Sequence, residues 1–134
     1  LKEFLSRIFY KIGKSNYKMD NNDNKNILSI SVKDAEALIK DNENSKDFII
    51  LDVRTSEEYE EGHLKGAIKL DMGSSDFDEV LGKLDKNFKY LIYCRTDARS
   101  SEVLELMNKQ GFVNVYNMNG GILEWIEKGL EIEK

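Results

Sequence analysis

The sequence predicts an α/β fold: a five-stranded, mostly parallel sheet with helices on both faces, preceded by an N-terminal amphipathic helix. Three observations carry that reading. From residue 27 onward, short apolar runs of strand length alternate with segments whose apolar residues recur at helical spacing. One run, Phe48-Ile49-Ile50-Leu51, is continuously apolar and bounded by polar residues, as a parallel strand covered on both faces should be. Capping patterns and a stop glycine mark the helices between the runs, so consecutive strands are joined by crossovers.

In chain order, residues 1–12 place Leu1, Phe4, Leu5, Ile8, Phe9 and Ile12 on one helical face, with Lys2, Arg7 and Lys11 off it. Such a face packs on its own domain or on a second copy, which would give a homodimer through this helix. An anchor remnant at a membrane surface is the alternative. Residues 13–26 are polar and asparagine-rich and read as a linker, so the chain divides into 1–26, helix and linker, and 27–134, the folded domain. Gly13-Lys14-Ser15 is no nucleotide loop, because that motif needs glycine where Ile8 stands.

Residues 27–31 form the first strand, and Ser31 with Asp34 opens a helix carrying Ala35, Leu38 and Ile39. After strand 48–51, Thr55 and Glu58 make a capping-box pattern for a short helix. Residues 67–70 are the third strand, and 76–84 a helix with Phe77, Val80, Leu81 and Leu84 inward. The fourth strand covers 89–93. The helix over 101–110 puts Val103, Leu106 and Met107 on one face, and Gly111 stops it. Residues 112–116 are the last strand, and Ile122, Trp125 and Ile126 line the last helix.

Composition narrows the function. At 134 residues the chain has room for one domain with a real core. Charged residues at 34% and apolar ones at 40% are ordinary for a globular protein. A net charge of -5 argues against nucleic-acid binding, which needs a basic face. A single cysteine makes no internal disulfide, which fits a cytoplasmic location and equally an exported protein, its signal peptide removed, that uses no disulfides. No run of about 18 apolar residues is present, so no membrane span is expected. Opening on Leu1 without methionine, the chain reads as a processed or truncated product.

That cysteine, Cys94, falls where the fourth strand meets the following helix. A polar loop, Arg95-Thr96-Asp97-Ala98-Arg99-Ser100, lies between them. A thiol there faces backbone N–H groups and the positive end of a helix dipole, with two arginines beside it. Each of these favours the thiolate, the nucleophilic form. In open parallel sheets ligands gather at the carboxyl ends of strands, so Asp52 and Arg54, which follow another apolar run, are expected on the same rim.

Several separated motifs then agree in order and spacing. Leu51-Asp52-Val53-Arg54, Glu57-Glu58-Tyr59, Gly62-His63-Leu64-Lys65-Gly66-Ala67, Tyr93-Cys94-Arg95, Arg99-Ser100, and Gly120-Gly121-Ile122 with Trp125 together resemble a single-domain rhodanese over residues 27–134. The resemblance implies a five-stranded parallel α/β domain and a sulfurtransferase. Cys94 would take a sulfane sulfur from a small donor such as thiosulfate, or from a persulfide, and pass it to a thiol acceptor or cyanide. No cofactor is implied, since the persulfide is the carrier. Residues 95–100 would line the persulfide, with Ser100 capping the helix or offering its hydroxyl to the sulfur. Asp52 and Arg54 would brace the loop, and His63 would belong to a structural turn.

The physics of the loop agrees. Successive N–H groups form an anion-binding nest, and Arg95 and Arg99 raise the local potential. Cys94 to Arg99 is six residues, the rhodanese length, whereas phosphatases of this fold carry one more. Asp97 departs from the glycine common in family loops. Aspartate is among the few other residues that tolerate the φ > 0 glycine permits, and its carboxylate is expected either to lie near the sulfur or to pair with Arg95 or Arg99 and point to solvent. Its carboxylate near the sulfur would disfavour the thiolate and repel anionic donors. A non-catalytic binding or regulatory module is the rival reading, and a redox sensor that borrows an external thiol a third. With one cysteine and one histidine, no metal site is expected.

Overall fold

A computed structural model describes residues 25–134; the expected N-terminal amphipathic helix and nearly all of the expected linker lie outside the described residues. Strands and helices alternate as β1 (Asn26–Ile30), α1 (Val32–Asp41), β2 (Phe48–Asp52), α2 (Ser56–Glu61), β3 (Ile68–Lys69), α3 (Phe77–Lys83), β4 (Lys89–Tyr93), α4 (Ala98–Lys109), β5 (Asn114–Met118) and α5 (Gly121–Glu127). The sheet order is β1-β5-β4-β2-β3 and every pairing is parallel. Strand β4 therefore sits in the middle, and its carboxyl end opens onto the centre of the rim.

Local chemistry fixes the helix starts. The Ser31 hydroxyl accepts from the Asp34 N–H at 3.1 Å. Thr55 and Glu58 form a full capping box, each satisfying the other's backbone donor. The last strand begins two residues later than the pattern suggests. Phe112 is buried in the turn after α4, edge-on to the Tyr90 ring at 5.4 Å, so its apolar character serves packing and not pairing.

Strand alternation divides the core in two. Ile49, Leu51, Tyr90, Ile92 and Cys94 face α3 and α4, where Val80, Leu81, Val103 and Met107 cover them. Phe48, Ile50, Leu91 and Tyr93 face α1 and α5, under Ala35, Ile122 and Trp125. Ile126, expected inward, is instead 48% exposed. The period of α5 places Ile122 and Trp125 on the core side and turns Ile126 outward.

The acidic C-terminus is solvent-exposed, as a Glu-rich end suggests, and is also tied to the domain. His63 and Glu133 exchange backbone hydrogen bonds of 2.9 and 2.8 Å. The Glu133 carboxylate accepts from the Gly66 N–H at 3.0 Å and lies 3.3 Å from His63 Nε2. His63 also stacks on Tyr59 with ring centroids 3.8 Å apart. Among the described residues, no helix is long and apolar enough to cross a membrane.

Candidate active site

Cys94 lies directly after the central strand and is only 2% exposed. Its Sγ is 3.3 Å from the Ser100 hydroxyl, which in turn lies 3.3 Å from the Asp97 carbonyl oxygen. Helix α4 starts at Ala98, three residues earlier than the apolar spacing predicts, with the Ser101 N–H bonded to the Asp97 carbonyl at 2.9 Å. Arg95, Thr96 and Asp97 therefore make up the loop proper, while Ala98, Arg99 and Ser100 form the first helical turn. Ser100 is buried inside that turn and is not its cap. The first-turn N–H groups have no helical acceptor, so the positive end of α4 starts beside the sulfur.

The last helix sets the loop's backbone. The N–H groups of Ile122 and Leu123, at the start of α5, donate to the carbonyls of Cys94 and Arg95, both at 3.0 Å. Because a trans peptide is planar, each carbonyl turned toward α5 aims the next N–H the opposite way. The amides of Arg95 and Thr96 are thus pre-aimed away from α5. This approach requires glycine at 121: its φ is +61°, and a Cβ there would strike the Arg95 carbonyl and come within 2.7 Å of the Cys94 carbonyl oxygen.

Side chains hold the loop on both flanks. Toward α2, Arg99 makes a two-pronged bond to Glu58, at 2.6 and 2.9 Å. The hydrogen bond from Arg99 pushes the Glu58 carboxyl down to about 2 against the opposing effect of burial. The same bond raises the Arg99 pKa, with the Cys94 charge adding to it. Toward β5, Asp97 Oδ1 accepts from Asn117 Nδ2 at 2.9 Å, and that nitrogen also reaches the Ser29 hydroxyl at 3.0 Å. The arginine pairing expected for Asp97 is corrected here. Its φ is -158°, so the position does not use the left-handed region, and its partner is a buried amide, not an arginine.

Asp52 and Arg54 share the rim with Cys94 but occupy the opposite face of the sheet. The Asp52 carboxylate takes Arg54 Nη2 at 2.7 Å and the Tyr93 hydroxyl at 2.7 Å, and Arg54 Nη2 also donates to the Gly62 carbonyl at 2.7 Å. Burial opposes the charge on Arg54, yet the bond and attraction to Asp52 outweigh it and raise its pKa. Burial, reinforced by Asp52, also raises the Tyr93 pKa and keeps the hydroxyl a donor. The pair makes no hydrogen bond or ion pair with loop residues 95–100. It fixes Tyr93, the residue before the cysteine, and the turn after α2.

Arg95 and Thr96 lie at the exposed side of the site, and among the described residues Arg95 has no carboxylate partner. Arg95 borders a cleft of about 280 Å³ with Arg54, Glu58, Leu123 and Ile126. Among the described residues, no His, Cys, Asp and Glu group is arranged to hold a metal. Sequence reasoning gave no site role to Glu58, Gly121 or Asn117. The capping box and the glycine pair were visible as patterns, but nothing in either showed what lies across space.

Two consequences are measurable. Gly121→Ala should lower stability by more than Gly66→Ala in urea unfolding. Gly66 has a φ of +79° but nothing within 4 Å of its missing Cβ, so it reports the backbone strain alone, about 1–3 kcal/mol. Equal losses would mean that contact with the loop does not matter. The Glu58 carboxyl titrates below its ordinary 4.5 in the folded protein, so its contribution to stability is present above that pH and is lost as pH falls toward about 2. The stability gap between the wild type and Glu58→Gln should therefore stay constant from neutral pH down to about 5 and narrow below it. A gap that does not change with pH would remove the ion-pair assignment.

Comparison with known proteins agrees with this architecture. The family model described as "Rhodanese-like domain" matches residues 31–128. A thiosulfate sulfurtransferase GlpE of Coxiella burnetii is 35% identical over 96 residues, 72% of this chain and 84% of that protein. A tRNA uridine(34) hydroxylase of Cytophaga hutchinsonii is 37% identical over 89 residues, 63% of this chain but only 28% of that protein's length. The crystal structure of a rhodanese-related protein from Thermoplasma volcanium superposes with a TM-score of 0.65 at 28% identity, covering 78% of this chain and 96% of that one. A matched segment that takes in both flanking straps and the cysteine loop, on an all-parallel five-stranded sheet, makes this chain a member of the rhodanese-like domain family.

Proposed function

We propose that this protein is a sulfurtransferase that carries sulfane sulfur as a Cys94 persulfide, with thiosulfate or an organic persulfide as donor. The observation that supports it most is the geometry around the thiol: a hydroxyl at 3.3 Å, a helix start, and amides aimed by the α5 bonds. The GlpE relative's name supports thiosulfate as one donor.

In the first half-reaction the Cys94 thiolate attacks the outer sulfur of thiosulfate. The S–S bond breaks, and sulfite leaves with the electron pair. In the second, a thiolate or cyanide attacks the outer sulfur of the persulfide, and Cys94 leaves as thiolate. The transferred sulfur stands about 2 Å beyond Sγ, which brings the reacting atom out from a buried cysteine. The amides of Arg95 and Thr96 and the first turn of α4 stabilise the spread negative charge, and a donor aimed at developing charge is worth about 3 kcal/mol. Arg95 attracts the anionic donor, while Arg99 acts chiefly through its bond to Glu58. The retained cysteine and its surroundings favour transfer over a non-catalytic binding role.

Intact mass after thiosulfate treatment tests this directly. The wild type should gain one sulfur that cyanide removes, and Cys94→Ser should gain none while unfolding at nearly the same urea concentration. A variant that still takes up sulfur would displace Cys94 as nucleophile. Asp97→Gly, which removes a carboxylate from the loop, should raise kcat/KM for thiosulfate severalfold. An unchanged or lower value would show that this charge does not hinder the donor.

A further inference from the structure

Asn117 is fully buried in β5, beside Ile92 of the central strand and Ser29 of β1, and on the same face of the sheet as Cys94. Its Nδ2 serves both Asp97 and Ser29, while its Oδ1 is buried without a hydrogen-bond partner. Leaving an amide oxygen unpaired in the interior is unfavourable. Turning the amide over would satisfy nothing better, since the oxygen would then face the Asp97 carboxylate. The side chain is therefore held in an orientation whose main product is the bond to Asp97.

That bond matters because of where Asp97 stands. It is the N-cap residue of α4, and aspartate at such a position ordinarily turns its carboxylate onto the first-turn amides. Here Asp97 makes no side-chain cap bond. The amides it would take belong to Arg99 and Ser100, and the Ser100 hydroxyl lies 3.3 Å from the sulfur.

We propose that Asn117 is a positioning residue for the Cys94 site: by holding the Asp97 carboxylate against β5, it keeps that carboxylate off the first turn of α4. The helix start then remains available to negative charge on sulfur. Released from Asn117, Asp97 caps α4 and competes with the thiolate for the same amides. The inference rests on the sulfurtransfer reading for its purpose but not for its test.

The test is epistasis between two substitutions, read on the single cysteine of the chain. The pH dependence of Cys94 alkylation by iodoacetamide reports the thiolate without any sulfur donor. Single-turnover sulfur uptake from thiosulfate reports the reaction. Asn117→Leu keeps the volume and removes the donor. Arg95, Arg99, Glu58 and Asp52, the other charged groups around the thiol, are unchanged in every variant. Asn117→Leu should move the alkylation profile to higher pH and slow alkylation at neutral pH severalfold. The double variant with Asp97→Gly should return to the behaviour of Asp97→Gly alone.

Unchanged alkylation in Asn117→Leu would overturn the proposal. So would a double variant as slow as Asn117→Leu, because Asn117 would then act through packing and not through Asp97. Should Asn117→Leu fail to fold, Asn117→Ser, too short to reach Asp97, carries the same two comparisons. If the alkylation profiles follow expectation while no variant takes up sulfur, the positioning role stands and the sulfurtransferase reading falls.

Discussion

The carbonyls of Cys94 and Arg95 are committed to the amides of Ile122 and Leu123, and the active loop takes its shape from that commitment. The loop is too short to build a fold of its own. Its polar backbone groups face a helix start on one side and another helix start on the other. Turning two carbonyls toward α5 leaves the intervening N–H groups no choice of direction. Gly121 allows the approach because it carries no Cβ and accepts a φ of +61°. A backbone contact, not a catalytic side chain, thus sets which face of the loop is electropositive.

Two ion pairs around the thiol are closed, while among the described residues Arg95 has no carboxylate partner. Arg99 is held by Glu58 and Arg54 by Asp52, and Asp97 is tied to a neutral amide. Pairing cancels much of the field of Arg99 and Arg54, so apart from Arg95 the negative charge on sulfur meets mainly oriented dipoles. Dipoles would suit the proposed persulfide, whose charge is spread over two atoms, and would need no reorganisation during the proposed transfer. The pairs also act mechanically. One fastens the first turn of α4 to α2, and another fastens Tyr93 to β2 on the far face of the sheet.

Strand parity explains why residues on one rim do different work. Cys94 and Tyr93 are neighbours in sequence, yet one joins the core under α4 and the other the core under α5. Asp52 pairs with Tyr93 across β2 and β4 and shares its face. An ion pair that looks by its position like active-site machinery is therefore a buried brace beneath the loop. Its worth lies in keeping the central strand's end in place.

Periodicity, caps and apolar runs were enough to specify the alternating fold, the parallel sheet and the place of Cys94 at a strand end. These depend on local chemistry and on the period of two or 3.6 residues, both written along the chain. The motifs that resemble rhodaneses added the family and pointed to Cys94 as the candidate nucleophile. Tertiary structure alone decided what each neighbouring side chain does. Nothing local links Arg99 to Glu58 or Asp97 to Asn117, which are 41 and 20 residues apart. The start of α4 at Ala98, and not at Ser101, likewise lies outside the helix's apolar stripe. Hydrogen bonds between distant residues leave no periodic trace in a sequence. The candidate reactive atom could therefore be read from the chain, but the electrostatic frame around it could not.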